Sequence, residues 1–236
     1  MDLSVNEIVV TVFFGLLPSL TWMIFYLQED SEHPEPLGMI VYTFILGGLI
    51  TFFVLAVQYV FRFHVIGGVV AANHPVELFV FSAIEEIAKF LAVFWFISKR
   101  KEFNEPLDAM IYMVVCALGF AAVENVFSIG QQGTSLIVGI DALAKVEILA
   151  LRFFGATLLH SLTAAIIGYH WGWGIFSAHK SVARGIAIGL SLAILVHTAF
   201  NWLIIATGPL TWVISFVVFV GFFVMANFED LKERDV

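Results

Sequence analysis

Seven stretches of the chain stay apolar for about 20 residues or more, the length a helix rising 1.5 Å per residue needs to cross a bilayer. They fall at about 8–28, 37–61, 77–98, 107–129, 150–176, 181–206 and 209–227. The breaks between them have physical causes. EDSEHPEP at 29–36 is acidic and proline-rich, KRKEFNEP at 99–106 is charged, and Gly208-Pro209 interrupts a helical pattern. Two stretches are ambiguous: 63–76 reads as a loop or half-helix, and 130–149 as an amphipathic helix lying in the interface. The pattern predicts an all-α, polytopic transmembrane bundle of about seven to eight helices. It forms a single integral membrane domain over 1–236, with a charged tail at 229–236.

Composition supports lipid as the solvent. Hydrophobic residues make up 61% and charged residues 13%, against about 45–50% and about 25% in soluble domains. The net charge of −8 comes mainly from loops and tails, and no basic stripe suggests nucleic acid. The single cysteine, Cys116, lies in an apolar run and offers neither a disulfide framework nor a thiolate metal site. The first apolar segment has no basic leader and is expected to remain in the mature protein. Lys99, Arg100, Lys101, Lys180, Arg184, Lys232 and Arg234 fall on one side of the seven spans, and Arg62 and Lys145 on the other. Basic residues collect on cytoplasmic loops, so the expected orientation is N-terminus outside and C-terminus cytoplasmic.

Ionisable groups inside such spans are expensive and mark function. The third segment carries Glu85 and Glu86 in SAIEEIAKF, with Lys89 one turn after Glu85 and expected to pair with it. Two adjacent carboxylates in an apolar setting are material for a general acid or base. The fourth segment adds Glu124 and Asn125, the fifth Arg152 near its outer edge and His160, and the sixth His197 and Asn201 on one face. Counted from the outer ends, Glu85, Glu124, His160 and His197 lie about 8, 5, 10 and 9 residues deep, or roughly 8–15 Å. Four polar groups at one level on neighbouring helices can surround one cavity in the outer half of the membrane. Asn125 and Asn201 read as orienting partners, and Lys89 as charge balance. His33, His64, His74, His170 and His179 are given no role.

EEIAK at Glu85–Lys89, the FxxxE of Phe120–Glu124, Arg152 ahead of His160, and the HxxxN of His197–Asn201 together resemble the PrsW family of intramembrane proteases. The resemblance spans about 85–201, inside a motif-bearing core of about 77–206. It implies a site-1 type protease that cuts a membrane-anchored protein, such as an anti-sigma factor, near the outer face. It also implies distant kinship with CAAX prenyl endopeptidases and the gamma-secretase scaffold subunit. In the CAAX enzymes a glutamate activates water while His and Asn stabilise the oxyanion; Glu124 stands here where that pattern has His.

The expected chemistry is peptide hydrolysis with Glu86, or else Glu85, as base, Glu124 or His160 sharing the water, and His197 with Asn201 facing the oxyanion. Glu86 is preferred as base because Glu85 is the better placed to pair with Lys89. No cofactor is required by this scheme. An alternative uses Zn²⁺ held by Glu124, His160 and His197, with Glu86 as a further candidate ligand. A proton- or cation-coupled transporter and a non-catalytic scaffold are the rivals from other classes. The polar groups cluster in one layer instead of crossing the bilayer, which speaks against transport.

Overall fold

Close helix crossings set the architecture of this chain. In a bilayer the apolar faces of helices gain little from leaving lipid, so association rests on tight packing at small residues and on polar contacts between helices. The computed structural model describes residues 5–29, 33–66, 73–131, 151–177, 181–206 and 210–232. Their helices are α1 (Val5–Glu29), α2 (Leu37–Val60), α3 (Pro75–Phe96), α4 (Pro106–Gln131), α5 (Leu158–Phe176), α6 (Val182–Ala206) and α7 (Leu210–Lys232). A π-helical turn, Phe61–Val65, prolongs α2, and another, Leu151–Thr157, leads into α5.

The expected interfacial helix at 130–149 lies outside the described residues except for its first two positions, as does the Gly208-Pro209 break. Of the ambiguous stretch at 63–76, the described part finishes the π-helical turn and then enters α3 through Asn73, His74 and Pro75. His74 Nδ1 accepts from the Val76 amide at 3.2 Å and caps that helix.

Six of the helices are long and apolar enough to cross a membrane, which makes this a multi-pass membrane protein. The remaining expected span is α3, which has the length but carries too many charged residues to qualify by composition. Glu77, Glu85, Glu86 and Lys89 set it apart, and all four are buried. Its polar side chains are sheltered by α2, α4, α5 and α6, the helices it packs against.

The centre of the bundle is α4. Every residue from Leu107 to Ala122 is buried, as expected of a helix that is apolar all round. It packs most extensively on α5, and also on α2 and α1. Where α2 crosses it, the backbones touch. A Cβ on Gly47 would lie 1.9 Å from the Cys116 carbonyl oxygen, and one on Gly119 would lie 1.9 Å from the Phe44 carbonyl oxygen. On the other side of α4, Gly168 of α5 meets the Ala109 carbonyl and the Met110 Cα, each 2.5 Å from the position of its absent Cβ. The outer helices show lipid-type surfaces, with Phe52 and Phe53 on α2 and Phe219 and Phe222 on α7 exposed.

Replacing Gly47 by Leu is expected to force α2 off α4 and lower stability by about 3 kcal/mol or more, the upper range for overpacking. Gly221, which has no neighbouring atom within 4 Å, is expected to accept Ala with little change. Thermal unfolding of the purified variants in detergent checks both; equal midpoints for Gly47→Leu and wild type would contradict the crossing.

Candidate active site

The polar residues of α3 follow its helical period. Ser82, Glu86 and Lys89, spaced four and three apart, form one stripe that the apolar Val93 continues, and all four are completely buried. Glu85 flanks that stripe and turns toward α2 and a cavity. The expected Glu85–Lys89 pair is therefore not formed: Lys89 Nζ lies 2.7 Å from Glu86 Oε1, the partner one helical turn away on its own inward stripe. Glu85 Oε1 instead accepts from Gln58 Nε2 at 2.8 Å.

Glu86 Oε1 gathers three donors. Besides Lys89 it receives the His197 Nδ1 proton at 2.6 Å and the Thr163 hydroxyl at 3.1 Å. Its other oxygen, Oε2, is buried with no hydrogen-bond partner among the described residues. A carboxylate at Nδ1 fixes the proton there, so the nitrogen that His197 turns outward is Nε2, 3.6 Å from Glu85 Oε2. Lys89 also lies 3.1 Å from His160 Nδ1, and His160 Nε2 lies 2.7 Å from Glu124 Oε2. With an ammonium on one side and a carboxylate on the other, His160 accepts at Nδ1 and donates at Nε2. The two imidazoles stand edge to face, their centroids 5.0 Å apart.

These groups open onto a cavity of about 390 Å³ lined by Glu85, Glu124, Arg152, His160, His197 and Asn201, among others. The four groups expected to share a level do meet, because α3, α4, α5 and α6 bring them to similar distances from their helix ends. Asn201 Nδ2 is 3.3 Å from Ser82 Oγ and holds α6 to α3. Arg152, on the π-helical turn, donates to Ser128 Oγ at 2.5 Å and reaches the cavity wall. Asn125 does not line it. Its amide donates to Thr157 Oγ1 at 2.8 Å and so ties α4 to the start of α5.

Among the described residues, Glu85, His160 and His197 form a group whose potential ligand atoms lie within 4.8 Å of one another. A carboxylate with two imidazoles is a donor set that Zn²⁺ accepts in hydrolases while keeping a position open, so the residues present fit such an ion. The carboxylate of this group is Glu85, where the sequence suggested Glu124, with Glu86 as a further candidate. Glu124 bonds to His160, and Glu86 is occupied by Lys89, His197 and Thr163. Both nitrogens of His160 are engaged, so an ion on His160 replaces one of its bonds.

Gln58 and Thr163 were not foreseen as site residues. Gln58 had a signal, being the one amide side chain in α2. Thr163 had none, since a threonine within an apolar helix ordinarily bonds to its own backbone, as Thr163 also does to the His160 carbonyl at 3.1 Å.

Lys89→Met is expected to strand Glu86 and cost about 3–5 kcal/mol, whereas Lys89→Met combined with Glu86→Leu regains most of that loss. Unfolding midpoints of these variants and of Glu86→Leu alone decide it; a double variant destabilised by the sum of the two single ones would show that the pair is not coupled.

Comparisons with known proteins identify the family. The profile of the PrsW family intramembrane metalloprotease matches residues 35–226. A protein named Protease PrsW from Geobacillus kaustophilus is 26% identical over 192 residues, covering 81% of this chain and 78% of its own. The Bacillus subtilis protein of that name is 24% identical, with 89% of each chain covered. The one from Clostridioides difficile is 26% identical, covering 93% of this chain and 89% of its own. No solved structure matches the chain. A family match that runs from α2 into α7 takes in all four helices of the cavity, and the chain belongs to the PrsW family of intramembrane metalloproteases.

Proposed function

We propose that the chain hydrolyses a peptide bond of a membrane-anchored protein at the cavity between α3, α4, α5 and α6. One observation carries the reading: two carboxylates and two imidazoles, Glu85, Glu124, His160 and His197, face a single cavity of about 390 Å³ inside helices of membrane-spanning length. Such a volume is within the ordinary range of ligand sites, roughly 300–1,000 Å³.

Glu85, His160 and His197 would hold a divalent ion, Zn²⁺ by ligand preference, which when bound supplies an activated water and polarises the scissile carbonyl. Glu86 keeps the His197 proton on Nδ1 and so turns Nε2 to the cavity. Lys89 neutralises Glu86 and fixes the His160 ring. Glu124 is the remaining carboxylate on the wall, placed to take a proton from the attacking water and return it to the leaving amine. Asn201, held by Ser82, offers an amide to the developing oxyanion.

The nearness of Lys89 to His160 favours a second reading, because that ammonium already sits against one of the three ligands. Without an ion, Glu85 is the base in place of Glu86, since Glu85 lines the cavity. Glu124 and His160 then position the water, and His197 with Asn201 stabilises the oxyanion.

With the C-terminus in the cytoplasm, the cavity lies toward the outer face. A single-span protein such as an anti-sigma factor is the fitting substrate class, and a bacterial plasma membrane the fitting location. Reconstituted protein mixed with single-span candidates is expected to produce a new N-terminus near that face. No cleavage of any candidate by protein whose fold is intact would count against peptidase activity.

Glu85→Gln keeps the side-chain size and is expected to lower the cleavage rate by about 10²–10⁴-fold under either reading. If that variant cleaves at the wild-type rate, Glu85 has neither role. Metal analysis separates the two readings: chelation is expected to abolish cleavage and Zn²⁺ to restore it. A metal-free sample with full activity would reject the ion and leave Glu85 as the base.

A further inference from the structure

A second cavity, of about 430 Å³, opens between α5, α6 and α7 at the other end of the bundle from Glu85 and its neighbours. It begins at Tyr169, nine residues past His160 on α5, or roughly 13 Å of helical rise. His170, Trp173, Ser181, Arg184, Phe223 and Asn227 are among its lining residues, and the catalytic reading uses none of them.

Its polar lining is biased toward donors. Asn227 is 6% exposed, and its Nδ2 has no hydrogen-bond partner among the described residues. An amide left so in a cavity wall costs free energy that a bound acceptor would recover. Arg184 is exposed and forms no ion pair with a carboxylate among the described residues. Ser181 stands at the start of the 25-residue helix α6, where its Oγ accepts from the Arg184 amide at 3.4 Å. The first amides of a helix this long carry partial positive charge toward whatever occupies the cavity. Asp230 accepts from the Tyr169 hydroxyl at 2.8 Å and is not part of the lining. Trp173, Ile188 and Phe223 supply an apolar rim beside these donors.

We propose that this cavity binds a phosphate group, with Arg184 as its counter-charge and the Asn227 amide as its buried donor. An anion meets the guanidinium, the amide and the start of α6 together, while the apolar rim leaves room for acyl chains. Basic pockets between helices hold lipid headgroups in this manner, and a free phosphate would satisfy the same donors. The inference is independent of the peptidase reading, because the cavity shares no residue with that site.

The test is thermal unfolding of the full-length purified protein in neutral detergent, titrated with phosphatidylglycerol, phosphatidylcholine or inorganic phosphate. Phosphatidylglycerol is expected to raise the midpoint, and phosphatidylcholine to leave it unchanged. Arg184→Gln and Asn227→Asp are each expected to raise the phosphatidylglycerol concentration for half the effect by about tenfold or more, the scale of one charge-assisted contact. Lys99→Gln, an exposed basic residue outside the cavity, is expected to respond as wild type. Stabilisation by inorganic phosphate alone, lost in the same two variants, would identify a free anion as the source of the phosphate group. Arg184 is exposed, so its replacement leaves the core intact. If Arg184→Gln responds like wild type, or if neither anion shifts the midpoint, the proposal fails.

Discussion

A charge inside hydrocarbon has to be met by other protein groups, and α3 carries the charges around which the bundle is arranged. Glu86 and Lys89 lie 2.7 Å apart with no exposed side-chain surface on either. Their attraction alone would not offset the loss of water around both, so further hydrogen bonds are needed. Those bonds come from other helices: Thr163 on α5 and His197 on α6 reach Glu86, and His160 on α5 reaches Lys89. Neutralising one buried pair thus dictates which faces of α5 and α6 turn inward. Seating that pair also brings Glu85, Glu124 and two imidazoles to the wall of one cavity.

The tight crossings around α4 make such an arrangement rigid. Gly47 and Gly119 let two backbones touch, so α2 cannot slide along α4 without a steric clash. This crossing positions Gln58, three turns further along α2, against Glu85. The π-helical turn before α5 has a comparable effect at the other wall. It carries Arg152 to the cavity and ends at Thr157, which Asn125 secures from α4.

Much of this could be read from the sequence because hydrocarbon imposes few solutions. Long apolar runs mark helices whose backbones must satisfy themselves, and an ionisable residue within such a run is conspicuous. The level shared by Glu85, Glu124, His160 and His197 was legible from their distances to the helix ends. Which of two neighbouring glutamates meets Lys89 was not. Positions three and four residues away are both within reach on a helix, and the choice falls to whichever side faces the neighbours. Gln58 and Thr163 were obscured for a related reason: a single polar residue in a span becomes informative only when its facing helix is known. Nor was it legible that the charged stripe of α3 is shielded by protein instead of lipid.

That shielding bears on how the protein is made. A segment with Glu77, Glu85, Glu86 and Lys89 partitions poorly into lipid by itself, whereas the helices around it qualify as spans unaided. The groups that accommodate its charges belong largely to α5 and α6, which leave the ribosome after α3 does. During synthesis the third helix therefore has no finished seat until the sixth has entered the membrane. Biogenesis of the acidic pair is coupled to completion of the bundle, and a truncated chain ending before α6 would carry the carboxylates without the histidine that orients beside them.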